Sequence, residues 1–380
     1  MQRERANCCG GKADACCAAK IEALEKTLRI IVVGGSLSGL SAAIALARLG
    51  HEVAVTERAT SFTGGAGLGV DVSLLRAVTG DPGSPAVIRG NRLSSSWYIV
   101  RAWLLEIASR TAGLTLREGV EATSLQQTDT AVIVTTNQST EEAALVIGAD
   151  GYRSMVRAFI NPANPEATYA GYMLWRGMCR EDQMSANTRW PDGFVTVQFA
   201  KRYRLVAYAV PGPDDSLVPG RRQISWAWYD PDQRELLERH HCLAGDRVIG
   251  TLSGDRFGEE LRGHLVDEAM QSWPSPWREA IVATLHDGDP FATPIAEYVP
   301  DRLVANRLAI IGDAAHVASP MTGSGFRYGL LDVLALARSL SKDEDVPQAL
   351  RRFENERLSD DRELVLSGLA WGKQYLKGEA

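Results

Sequence analysis

The residues best suited to chemistry fall in three short glycine-bearing stretches. The first is IIVVGGSLSGL at 30–40, an apolar run that ends in a turn carrying Gly34, Ser36 and Gly39. A helical pattern follows at once, with Leu40, Ala43, Ile44 and Ala47 on one face. A strand that passes through a glycine turn into a helix offers unpaired N–H groups and the positive end of a helix dipole, which is a cradle for phosphate. Glu57 ends the next apolar segment, where a carboxylate accepts from ribose hydroxyls and disfavours a 2′-phosphate. Ser36 stands in place of the middle glycine of G-x-G-x-x-G, and its hydroxyl is itself a phosphate donor. Taken alone, the turn also fits any doubly wound sheet.

The second stretch is IGADGYRSMVR at 147–157 and the third is GDAAHVASPMTGSGFRYGLLD at 312–332. In this order the three stretches resemble the fingerprints of the group A FAD-dependent aromatic hydroxylases, the p-hydroxybenzoate hydroxylase fold. The second matches at Gly148, Asp150, Gly151, Ser154, Val156 and Arg157, and the third at Gly312, Asp313, His316, Pro320, Gly323, Gly325 and Asp332. YAGYMLWRG at 169–177, YAVPG at 208–212, ISWAWY at 224–229 and PFATPI at 290–295 are similar to the 2,6-dihydroxypyridine 3-hydroxylase and urate hydroxylase branch. The chain departs from the pattern at Arg327, where many members carry asparagine, and at Met321–Gly325, where that branch commonly has a His-Thr-Ala-Ala-Gly type of loop.

The resemblance implies FAD as cofactor and NADH or NADPH as co-substrate. It implies a monooxygenase that uses O2 and a flavin C4a-hydroperoxide to hydroxylate a small aromatic or N-heteroaromatic ring. Gly34, Ser36, Leu37, Ser38, Gly39, Glu57, Arg58 and Val120 would surround the ADP half of FAD, with Arg101 reaching the flavin linker and Asp150 tying the second motif to the pyrophosphate region. Asp313 would bind the ribityl chain, since a carboxylate at a buried strand end is costly without hydroxyl or N–H partners. The turn from Pro320 to Gly325 would meet the flavin ring, and Gly323 and Gly325 suit a backbone that must come close to it. Pro320, His316 and Tyr208 are the pocket candidates. Trp226 and Trp228, two apart on a strand, share one face, either lining the pocket or packing a core. Arg176 and Arg204 stand either as anchors for an anionic substrate or as solvated or structural charges. Two other functions stay open: tailoring of a larger natural product by Baeyer–Villiger or epoxidation chemistry, and flavin binding without turnover.

The rest of the composition narrows the partners. A formal charge of −6 over 380 residues carries no basic footprint, so nucleic acid and anionic membrane surfaces are not expected. No apolar run approaches a bilayer span, and the N-terminus lacks an h-region, so the expectation is a cytoplasmic monomer or homodimer. Cys8, Cys9, Cys16 and Cys17 crowd the start without a C-x-x-C spacing, and no metal site is expected.

Around these stretches the texture alternates. The expected fold is α/β: a Rossmann-type FAD-binding domain interleaved with an antiparallel-sheet substrate domain, followed by C-terminal helices. Residues 1–27 read as a mobile cysteine-bearing tail and 28–164 as the first part of the FAD domain. Within it, 98–111 is helical and 114–148 consists of hairpin-type strands. Residues 165–293, rich in aromatics between Pro/Gly turns, read as the substrate sheet; 294–345 completes the FAD domain and 346–380 is a helical segment.

Overall fold

The computed structural model describes residues 27–62, 66–185, 188–191, 195–341 and 345–378, so nearly all of the expected cysteine tail, and part of a further glycine-rich stretch TGGAGLGV at 63–70, lie outside the described residues. The chain opens with β1 (Arg29–Val33), α1 (Leu37–Arg48) and β2 (Glu52–Glu57), a βαβ unit. A short ribbon of β3 (Gly67–Gly69) and β4 (Ser94–Ser96) brackets α2 (Val72–Thr79), and α3 (Trp97–Ser109) leads to β5 (Leu114–Glu118). Next come β6 (Ala122–Gln127), β7 (Val132–Thr136), β8 (Thr140–Ala143), β9 (Leu145–Gly148) and α4 (Met155–Ile160). Only β6, β7 and β8 form the expected hairpins. β5 and β9 instead join β1 and β2 in a parallel array of order β9-β1-β2-β5. Leu145, Val146 and Ile147 are fully buried, as a strand covered on both faces requires, and that continuous apolar run distinguishes β9 from an alternating hairpin strand.

The second layer begins with β10 (Thr168–Arg180), β11 (Thr196–Ala200), β12 (Tyr203–Val210) and β13 (Gln223–Pro231). After α5 (Arg234–Arg239), β14 (Leu243–Ala244), β15 (Arg247–Val248), α6 (Glu259–Ser272) and α7 (Trp277–Asp287), it is completed by β16 (Phe291–Glu297). The antiparallel sheet therefore runs to residue 297, past the expected edge at 293, because β16 pairs with β10. The chain returns to the parallel sheet through β17 (Val304–Ala305) and β18 (Leu308–Ile310), then ends in α8 (Gly325–Leu340) and α9 (Val346–Lys377).

Each sheet builds its own core. Ile30, Val32, Leu40, Ile44 and Ile310 centre the first, and Trp226, Trp228, Leu205 and Phe257 the second. Trp226 donates its indole N–H to Thr284 on α7 at 2.8 Å, and Trp228 packs edge-on against Trp273 at the end of α6. The tryptophans thus belong to the helix-backed face of the antiparallel sheet, leaving its opposite face toward the parallel layer. Among the described residues, no helix is long and apolar enough to cross a membrane.

Candidate active site

The neighbours of β1 lie on opposite sides, β2 on one and β9 on the other, so the connections at the carboxyl ends of these strands diverge and open a crevice. A cavity of about 890 Å³ occupies it, at the upper end of the ~300–1,000 Å³ usual for small-molecule sites. Its parallel-sheet wall comes from Ser36, Leu37, Ser38, Ala149, Asp313 and the turn from Pro320 to Gly325. Its antiparallel floor comes from Leu174, Arg176, Arg204, Val206, Tyr208, Ala227 and Tyr229.

At the first wall, backbone approach sets the shape. Gly34 has φ +106°, and a Cβ there would fall 2.3 Å from the Ala149 carbonyl oxygen; a Cβ on Gly39 would fall 1.9 Å from the Gly34 oxygen. Only glycine lets α1 settle onto the strand ends at these two points. Ser36 is the N-cap of α1 but makes no capping bond with its side chain, and Ser324 at the start of α8 makes none either. By contrast, α2, α3, α4 and α9 are capped by Asp71, Ser96, Ser154 and Asp345. Two helix N-termini without side-chain caps therefore open onto one cavity, each with N–H groups free for a ligand oxygen. Glu57 accepts from the Gly35 and Ala59 N–H groups, both at 2.8 Å, which fixes its carboxylate beside the turn with lone pairs to spare.

Asp313 opens onto the cavity, and no hydrogen-bond donor among the described residues reaches its carboxylate. Burial pushes its pKa up, while the charges of His316 and Arg157 pull it back. A carboxylate so placed calls for hydroxyl partners from a ligand. Arg157, itself buried, donates to the Ala314 carbonyl at 3.2 Å and to the Pro165 carbonyl at 2.8 Å, with the Tyr152 carbonyl at 2.5 Å. That one guanidinium ties the 147–157 stretch to the 312–332 stretch. Cradle, uncapped helix ends and unpaired carboxylate together fit a dinucleotide with a polyhydroxyl arm, as FAD has.

His316 does not reach the cavity. It is fully buried, with Nε2 2.8 Å from Asp332, which also accepts from the Gly312 N–H at 2.9 Å. Arg357 from α9 donates to Asp332 at 2.9 Å and to Asp361 at 2.5 Å. The pKa of His316 is raised to about 9: burial alone would lower it, but the charges and hydrogen bond of Asp332, helped by Asp361, prevail. Although His316, Asp332 and Asp361 converge like metal ligands, Arg357 already supplies the cation. The cluster pins α8 and α9 to the turn that precedes the cavity wall.

The other expected residues divide. Leu37, Ser38, Pro320, Gly323, Gly325 and Tyr208 line the cavity with Ser36 and Asp313. Asp150 turns inward to the start of α4, accepting from the Ser154 hydroxyl at 2.5 Å and the Met155 N–H at 2.8 Å. Arg101 lies beneath the first turn, bonded to Glu118 at 3.0 Å and more weakly to the Gly35 carbonyl at 3.4 Å, with Phe62 over its guanidinium at 3.8 Å. Val120 is a core residue whose N–H bonds the Glu57 carbonyl, and exposed Arg58 points to Glu121. Arg327 is exposed with Asp71 3.5 Å away.

Several contributors to the site escaped sequence reasoning, Tyr229 and its floor neighbours Leu174, Val206 and Ala227 among them. Arg92 and Trp371 line the cavity, and Ser319 in its wall bonds the Tyr172 hydroxyl at 2.6 Å. Trp371 had a signal, an aromatic beside Gly372 on a helix otherwise rich in charge. Arg92 had none.

Comparisons with known proteins follow the same lines. Residues 169–297 match the family described as FAD binding domain-like, 267–365 the FAD binding domain family, and 29–73 the pyridine nucleotide-disulphide oxidoreductase family. The chain is 29% identical over 358 residues to a 2,6-dihydroxypyridine 3-monooxygenase of Paenarthrobacter nicotinovorans, covering 87% of each. It superposes on the 2,6-dihydroxypyridine-3-hydroxylase structure from Arthrobacter nicotinovorans with a TM-score of 0.77 at 24% identity, covering 93% of this chain and 94% of that one. The fold is shared as well with Klebsiella pneumoniae HpxO, solved with FAD and uric acid, at a TM-score of 0.68, 20% identity and coverage of 92% and 93%.

Proposed function

We propose, on the premise that this chain belongs to the FAD-dependent aromatic hydroxylases, that it hydroxylates a small aromatic or N-heteroaromatic ring with O2 and NAD(P)H. The observation that carries this reading is one cavity with two chemically distinct walls. Its parallel-sheet side has the donors a dinucleotide needs, and its floor has room and polar groups for a ring. When bound, FAD supplies the redox chemistry with NAD(P)H and O2. The protein's part is to bind, orient and shield.

The α1 terminus with Ser36, Leu37 and Ser38 would hold the phosphates, and Glu57 the adenosine ribose. Asp313 would take the ribityl hydroxyls, and the N–H groups at the start of α8 would donate to the acceptor atoms on the pyrimidine edge of the flavin ring. Tyr208 and Tyr229 stay protonated, their pKa values pushed up to about 12 by burial, so they offer O–H donors to a ring oxygen or nitrogen. Apolar Leu174, Val206 and Ala227 exclude water from the ring face. None of these steps asks for a metal or a protein nucleophile.

A cytoplasmic setting belongs to the same proposal and is supported by the free thiols of Cys179 and Cys242, both buried and unpaired. The test is ring-stimulated NAD(P)H oxidation across an aromatic and N-heteroaromatic panel, with product mass. Products heavier by one oxygen are expected. Flavin reduction that no ring accelerates would point instead to flavin binding without turnover.

A further inference from the structure

We infer that Trp371 is a stacking platform for the flat face of the substrate ring, a specificity-determining residue carried by α9 rather than by either sheet. That the ring is a substrate rests on the hydroxylase reading above; that the occupant is a flat ring rests on α9 alone.

α9 is built to bring its backbone close at this point. Gly368 and Gly372 stand one turn apart in the helix interior, where glycine is the poorest helix former short of proline. They share a face, and on that face a side chain would crowd its neighbours. A Cβ on Gly368 would fall 3.0 Å from the Ser319 Cβ, and one on Gly372 would fall 3.3 Å from the Tyr172 ring. Tyr375, three residues further, is buried against Tyr172 and Tyr229, with ring centroids 5.6 and 6.2 Å away. The helix therefore lies against the wall turn and the floor of the cavity at once. Trp371 is about 100° round the helix from Gly372, on the flank of this docked face, and it lines the cavity.

What sets Trp371 apart is that nothing in the chain covers it. The sequence has nine tryptophans, and the other eight are buried or half-buried. Most of those also pair with rings, as Trp97 does with Phe62, Trp175 with Phe257 and Trp228 with Trp273. Trp371 is 46% exposed, and among the described residues it has neither a ring partner nor a hydrogen bond. An indole left in water forfeits the burial that makes tryptophan worth placing. Leu366 and Leu376 are exposed on the same helix but do not line the cavity. Val197 on β11 does, and it too is exposed, so the rim is apolar on more than one element. An aromatic face on an apolar rim favours a flat ring over a puckered one, because offset stacking needs two π faces. The cofactor is claimed by the parallel-sheet wall, which leaves the indole to the other reactant.

The test is isothermal titration of the FAD-loaded protein with two neutral pairs that share a lactam and differ in flatness: 2-pyridone against 2-piperidone, and 2-quinolone against its decahydro counterpart. At least one flat probe should bind about five-fold or more tighter than its saturated partner. The flavin also favours flat rings, so the decisive reading is the share that the indole supplies. Trp371→Ala should weaken the flat probe about five-fold and the saturated one less than about two-fold, while Trp371→Phe keeps most of the preference. No binding by any probe, equal losses for flat and saturated probes, or loss of FAD from Trp371→Ala would each overturn the platform. So would a Trp371→Ala protein that binds the probes like the wild type but has a raised KM for NADH or NADPH, which would give the indole to the nicotinamide ring. A variant that is monomeric where the wild type is dimeric in ultracentrifugation would give it to a second copy and overturn the platform as well. Should Trp371 carry the preference while no ring ever stimulates NAD(P)H oxidation, the platform stands and the hydroxylase reading falls. If rings stimulate oxidation with the same KM in the wild type and in Trp371→Ala, the hydroxylase stands and the platform falls.

Discussion

Two groups of charge in this protein, one fully buried and one half-buried, are built on opposite plans. Beneath the cavity wall, His316, Asp332, Arg357 and Asp361 satisfy one another across a turn and two helices. On the cavity floor, Arg176 and Arg204 face open space with only aromatic rings beside them. A buried ion contributes structure when its partners come from the chain; a half-buried ion beside a cavity, with no partner from the chain, is left open to a ligand. The first cluster is a clamp and the second is a socket.

The largest expected effect would break that distinction. Arg357→Met leaves Asp332 and Asp361 facing each other with only His316 to balance them, and urea unfolding should show a loss of about 3–5 kcal/mol. If the variant is as stable as the wild type, the cluster is no clamp. Next in size is a pH effect. His316 is charged in the folded protein up to about pH 9, against 6.5 when unfolded. Its contribution is complete below pH 6.5 and is lost as pH rises through 9. The melting temperature should fall across that window by the equivalent of roughly 1–3 kcal/mol, and His316→Gln should flatten the slope.

Asp313→Ala is expected to weaken FAD retention ten- to a hundred-fold, about 1.4–2.8 kcal/mol, read as flavin content after dialysis. Unchanged retention would remove Asp313 from the cofactor wall. The smallest effect has the opposite sense. Arg176→Met removes a half-buried cation that has no partner among the described residues, so unfolding in the absence of substrate should be unchanged or up to about 1 kcal/mol more costly. A large destabilisation there would make the socket a second clamp.

Much of this was legible in the sequence because glycine and strand signals report backbone demands directly. The Gly34–Gly39 turn and the Pro320–Gly325 wall could be found because glycine and proline mark special backbone, and Asp313 because a carboxylate at a buried strand end needs partners. The aromatic strands announced an antiparallel sheet, yet not which face was which. Trp226 and Trp228 alternate as cleanly as Ala227 and Tyr229, and only α6 and α7 packing behind the sheet decides that tryptophan is core. β5 and β9 passed for hairpin strands because their partners lie far along the chain. His316 read as a pocket residue because its partners Arg357 and Asp361 sit on a helix whose charges read as solvated. Pairing between distant elements leaves no local trace.

One consequence lies in the order in which the chain is made. α9 delivers Arg357 and Asp361 to the clamp, seats Gly368 with its would-be Cβ 3.0 Å from Ser319, and sets Trp371 at the cavity edge. It is also the last described element to leave the ribosome. A nascent chain that has finished both sheets has only His316 to balance Asp332 and lacks a backing for the Ser319 turn. The cavity wall at the Ser319 turn is therefore complete only once this helix has docked.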